Sequence, residues 1–184
     1  MFWSVYESSK PFKDITYAPE IFYRFWDHEN VFINSIDFGF LHNSNGKKEE
    51  DSRSFDRFFL KFNQASTIGR NVLYNELRIY QIANYDPENA DIQKYLGYWD
   101  FQLRLTNLIT FNGQSVDLEF KIFVGEKVID IDRGGKIFGI IYRMGSENFS
   151  PAIYFQYYSG YAESLLSYQE KSEEFRIGIL LSAL

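Results

Sequence analysis

The chain has 184 residues, no cysteine and a formal net charge of -6. That length suits one domain. The missing cysteines exclude a thiolate zinc site, a cysteine nucleophile and disulfides, and the acidic balance offers no surface for nucleic acid.

Aromatic residues make up 20% of the chain, with 14 Tyr and 19 Phe, yet the mean hydropathy is only -0.32. Large rings mixed evenly with polar residues fit membrane-spanning strands rather than helices. No run approaches the roughly 18 apolar residues that a spanning helix needs.

The N-terminus, MFWSVYESSK, lacks the basic stretch and apolar core of a signal peptide and reads as the end of a strand. DHEN at 27–30 is a turn, with His28 read as a solvated turn residue. Residues 36–46, IDFGFLHNSNG, put Ile36, Phe38, Phe40, His42 and Ser44 on one face, with Asp37 and Gly39 on the other. A polar loop follows at 43–52. The next strand sets Ser54, Asp56, Phe58, Leu60 and Phe62 against Arg53, Arg57 and Lys61.

IGRN at 68–71 is a turn, and residues 73–80 set Leu73, Leu77 and Ile79 against Glu76 and Arg78. A second polar loop is expected at 84–92. Residues 98–106 alternate Trp99, Phe101, Leu103 and Leu105 with Asp100, Gln102, Arg104 and Thr106. After FNGQ at 111–114, residues 115–124 alternate Val116, Leu118, Phe120, Ile122 and Val124 with Asp117, Glu119 and Lys121. DRGGK at 132–136 and a loop at 144–150 follow. The last strand sets Phe175, Ile177, Ile179 and Leu181 against Arg176 and Gly178.

The pattern predicts about ten strands and no helix. A soluble β-sandwich also alternates. Two features favour an antiparallel transmembrane β-barrel. The strands are long, often about nine to twelve residues, as tilted membrane strands must be. Their polar faces also carry both charge signs in mid-strand, at Arg24, Asp37, Arg57, Lys61, Glu76, Arg78, Asp100, Arg104 and Glu119. A closed interior pairs and hydrates such charges, while the outer face meets lipid.

The loop at 43–52 predicts a hairpin, so His42 and Asp56 come from adjacent strand ends on the lipid-facing side, with Ser44 two residues beyond His42. A serine hydroxyl needs a base to take its proton. An imidazole is such a base near neutral pH, and a carboxylate fixes its tautomer. Backbone amides around Asn45 and Gly46 are candidate oxyanion donors. Ser, His and Asp are common residues, there is no GxSxG elbow, and an interfacial histidine beside a polar turn also accounts for them. A polar trio on a lipid-facing rim is unusual unless the substrate is lipid.

HNSNG, followed by SRSFDR at 52–57, resembles the signature of the bacterial outer membrane phospholipase A family: His-x-Ser-Asn-Gly, a short polar loop, then Ser-Arg-Ser-aromatic-Asn-Arg. PFKDITYAPEIF at 11–22, DIQKYLGYW at 91–99 and YSGYAESLLSY at 158–168 resemble family segments in the same order. The resemblance implies an outer-membrane barrel of about twelve strands. It also implies calcium-dependent hydrolysis of phospholipid esters and activity controlled by homodimerisation. It makes Ser44 the nucleophile, His42 the base and Gly46 an oxyanion-hole glycine. Asp56 stands where the family has asparagine, a mild departure because aspartate serves the same role in other serine hydrolases. The implied calcium positions are the Lys47 carbonyl and the Ser52 side chain, with Ser9 from the partner subunit, while Glu49 matches an acidic loop residue. Most of the KKEED run at 47–51 is otherwise read as a solvated loop.

Residues 1–184 are therefore expected to be one barrel domain lacking a signal peptide and roughly two first strands. Two further possibilities are an inert barrel acting as a pore or structural protein, and an inactive fragment of the phospholipase.

Overall fold

The computed structural model describes residues 3–4, 15–27, 32–127, 130–145 and 149–183. Ten strands form one sheet: β1 (Trp3–Ser4), β2 (Glu20–Trp26), β3 (Ser35–Ser44), β4 (Ser54–Ile68), β5 (Asn71–Ala83), β6 (Trp99–Phe111), β7 (Gln114–Phe123), β8 (Gly135–Met144), β9 (Phe149–Gly160) and β10 (Ser172–Ala183). Their order is β1-β10-β9-β8-β7-β6-β5-β4-β3-β2, with antiparallel neighbours throughout. The first strand thus lies beside the last, as a rolled meander requires. Among the described residues β2 pairs only with β3.

Side chains meeting across the concave face show the rolling. Arg78 on β5 reaches Glu20 on β2 at 3.3 Å, although those strands are three places apart. In a flat sheet they would stand about 14 Å apart, at about 4.8 Å per strand. The expected alternation holds. Asp37, Asp100 and Asp117 are fully or nearly fully buried inside, whereas Phe38, Phe58, Ile140, Phe155 and Ile179 stand exposed outside. Inside, Asp37 pairs with Arg24 at 2.6 Å and Lys61 at 3.5 Å, while Asp117 pairs with Arg104 and Arg143, both at 2.9 Å. Paired charge satisfies a polar interior, and the apolar outer belt stands exposed among the described residues.

Connections alternate in length. At one end, Asn112 and Gly113 both take positive φ, 48° and 78°, the geometry of a tight hairpin turn. Gly69–Arg70 joins β4 to β5 there in two residues. The long loops gather at the other end. They hold the helical turn α1 (Gln93–Leu96), which the alternation pattern did not foresee. Beneath them Leu41, Phe55, Phe59, Tyr80 and Ile82 plug the interior and are capped by Ile92, Leu96, Leu165 and Tyr168. This apolar core supports the strand ends that carry the candidate site. His28 and Ser9 lie outside the described residues.

Candidate active site

The register places His42 directly opposite Asp56, and Ser44 opposite Ser54. Each pair shares the outward face, so period-two alternation and hairpin pairing together build the site. His42 Nδ1 lies 2.8 Å from Asp56 Oδ1. The other carboxylate oxygen accepts a hydrogen bond from Asn84 Nδ2 at 3.0 Å. With Asp56 ionised, Nδ1 carries the proton, and Nε2 is left as the basic nitrogen. The His42 side chain is 43% exposed and that of Asp56 only 15%. The orienting group is therefore sheltered and the base accessible.

The chain turns directly after Ser44. Gly46 adopts φ 67°, a left-handed conformation that costs other residues about 1–2 kcal/mol. This turn aims the Gly46 N–H at Ser44 Oγ, 3.2 Å away, so a backbone donor stands beside the candidate nucleophile. Asn45 secures the loop. Its Nδ2 donates to the Asp51 carbonyl at 2.8 Å, and its Oδ1 accepts from the Arg53 N–H at 3.0 Å.

Two contributors escaped the sequence reading. Tyr17 forms a two-bond bridge with Ser44, with N–O distances of 2.8 and 2.9 Å, and its ring approaches Gly46. Asn84 follows the end of β5, where Ala83 pairs with Asp56. Its role depends on three-strand register, which no local pattern reveals.

The implied metal-binding positions converge in part. The Ser52 hydroxyl donates to Asp86 Oδ2 at 2.8 Å, and the Glu49 carbonyl accepts from the Ser52 N–H at 2.9 Å. Lys47 N–H donates to Asn45 Oδ1 at 3.3 Å, holding its peptide in the same loop. A hydroxyl, a carboxylate and nearby carbonyls form the hard oxygen set that calcium takes. Asp86 was not singled out from the sequence. Among the described residues there is no cluster of three or more acidic, histidine or cysteine side chains able to hold a metal, so ligation here would join the Asp86 carboxylate to the Ser52 hydroxyl and backbone oxygens. Ser9, the position expected from a second subunit, lies outside the described residues.

A family model described as phospholipase A1 matches residues 1–181. The chain is 30% identical over 186 positions to phospholipase A1 of Escherichia coli K12, covering 97% of this chain and 57% of that protein. It is 26% identical to the Klebsiella pneumoniae enzyme, covering 97% and 58%. The chain thus spans a little over half the length of these curated relatives. Among solved structures it superposes on the outer membrane phospholipase dimer of Salmonella typhi with bound calcium. The TM-score is 0.70 at 25% identity, covering 94% of this chain and 63% of that one. Outer membrane phospholipase A from Escherichia coli gives the same score and identity over 95% and 65%.

Proposed function

Because the chain belongs to the phospholipase A1 family, we propose that it hydrolyses acyl ester bonds of membrane glycerophospholipids from the surface of an outer-membrane barrel. The observation that carries this reading is the His42–Asp56 pair at 2.8 Å, with Ser44 on the same outward face among exposed aromatic residues. A catalytic set facing lipid suits a substrate whose acyl chains stay in the bilayer.

His42 Nε2 takes the proton from Ser44 Oγ as that oxygen attacks the acyl carbon. The Gly46 N–H donates to the developing oxyanion. His42 then returns the proton to the departing lysolipid oxygen, and water, deprotonated by the same imidazole, releases the fatty acid. Asp56 holds the ring and stabilises the imidazolium, while Asn84 holds Asp56. Ser52, Asp86 and the Lys47 carbonyl would hold a calcium ion, with Glu49 beside them and Ser9 of a second subunit completing the set. That ion would supply positive charge near the oxyanion. The dimeric, calcium-bound Salmonella typhi relative supports extending homodimerisation to this protein.

The test is fatty-acid release from phospholipid in mixed micelles by the detergent-refolded chain, with and without calcium. Release that needs calcium and disappears in Ser44→Ala is expected. Undiminished release by Ser44→Ala would refute the assigned nucleophile. Undiminished release in a chelator, by a monomer, would refute the calcium-dependent dimer.

A further inference from the structure

On the wall opposite the catalytic strands, at the same loop end, a cavity of about 150 Å³ opens between β7, β8, β9 and the β9–β10 loop. Ile122, Lys136, Ser159, Lys171 and Asp132 line it, with the backbone of Gly134, Gly135 and Gly160 as its floor. Register fixes its outlook. Lys136 sits between Ile122 and Ser159, all in phase with the outward-facing Phe120, Phe138 and Phe155. The cavity therefore sits directly above the exposed apolar belt of Phe138, Ile140 and Phe155.

The charges distinguish this rim from the interior. Inside, Lys61, Arg78, Arg104, Lys121, Arg143 and Arg176 each have a carboxylate within 4.0 Å. Lys136 and Lys171 have no such ion pair among the described residues, although Asp132 lines the same cavity and Glu173 lies opposite Ser159. Two ammonium groups and a hydroxyl at the upper edge of an apolar wall match one ligand chemistry. That ligand is an anionic headgroup whose acyl chains run down the belt. The volume equals about five waters at about 30 Å³ each, enough for a phosphate group.

We propose that this rim cavity binds the phosphate of an anionic membrane lipid through Lys136, Lys171 and Ser159, as a site separate from the catalytic one. The proposal rests on the barrel reading given above. A lipid held here would fix the depth and tilt of the barrel, because headgroup and belt are engaged together.

The test uses the full chain carrying Ser44→Ala, so that lipid is bound but not consumed, refolded in maltoside micelles. Short-chain phosphatidic acid is titrated and followed by the backbone amide resonances of Gly135 and Gly160. Saturable shifts are expected, and Lys136→Gln with Lys171→Gln should weaken binding about tenfold. Asp132→Asn should tighten binding, which keeps the test decisive if the double variant does not fold. Unchanged affinity in the double variant, or no tightening in Asp132→Asn, overturns the proposal. Inorganic phosphate binding as tightly as phosphatidic acid overturns the lipid assignment. Hydrolysis of phosphatidylcholine, run in parallel with Ser44 restored, separates the two readings. Binding without hydrolysis sinks the phospholipase assignment alone, and hydrolysis without binding sinks this one alone.

Discussion

Asp56 shows how one residue's role depends on neighbours from the strands on both sides of it. Its carboxylate accepts from His42 on β3 and from Asn84 after β5. Asp56→Ala should lower kcat by about 10²–10⁴, the span typical of losing general-base assistance. Asp56→Asn should retain far more activity. The amide oxygen can still accept the Nδ1 proton, and Asn84 can turn its own amide to offer oxygen instead of nitrogen. Steady-state kinetics on both variants would check this, and equal losses would show that the negative charge itself is essential. The shared outward placement of His42, Ser44 and Asp56 was legible from alternation plus a motif. Asn84 and Tyr17 were not, because each acts through backbone register rather than a recognisable pattern.

At the scale of elements, the turns carry the pairing. The β6–β7 hairpin closes through Asn112 and Gly113, both at positive φ. A β-branched side chain is costly there, so Gly113→Val should destabilise the folded barrel by about 1–2 kcal/mol. Urea titration in detergent, followed by tryptophan fluorescence, measures that loss, and an unchanged midpoint would count against the turn assignment. FNGQ announced this turn in the sequence, since Asn-Gly is the residue pair such a turn demands. The irregularity two turns of pleat away was silent. Register shifts between Leu105 and Ile109, where Asn107 takes φ 56° and its N–H donates to Asp117 Oδ1 at 3.1 Å. An interior aspartate chooses that bulge, and local sequence does not name the aspartate. The turn α1 was missed likewise. It is held by Gly97 at φ 63°, where any side chain would strike the Val124 carbonyl.

For the whole molecule, the cap over the loop end is built from contacts between loops distant in sequence. The Tyr168 hydroxyl donates to Asp91 across the loop end, and Tyr95 stacks edge-on against Tyr168 at 5.5 Å. Burial, then the adjacent Asp91 carboxylate, raise the Tyr168 phenol above its ordinary range. The neutral phenol is thus favoured in the folded cap. Its stabilisation is complete below the unfolded pKa of about 10 and declines as pH rises above it. Protease nicking of the loop after Ala83 should accelerate above that pH in the native chain. Tyr168→Phe should lose that particular pH dependence while being nicked faster at neutral pH, having given up a hydrogen bond of about 1 kcal/mol. Identical pH profiles would refute the cap's dependence on this phenol. Arg78 meets Glu20 over the concave face, so at that level paired side chains fill the space between β5 and β2.

Amino-acid order alone determined the strands, their inward and outward faces, and the outward placement of His42, Ser44 and Asp56. A period of two and a short list of turn residues are local properties, readable without partners. Tertiary structure decided the rest: which carboxylate each interior cation meets, which amide steadies Asp56, where Ser52 finds Asp86, and how the loops cap the barrel. Those contacts join residues many positions apart whose meeting depends on how far the sheet rolls and on register across several strands. Each strand fixes only its own alternation, and the curvature that brings Arg78 to Glu20 belongs to the sheet as a whole.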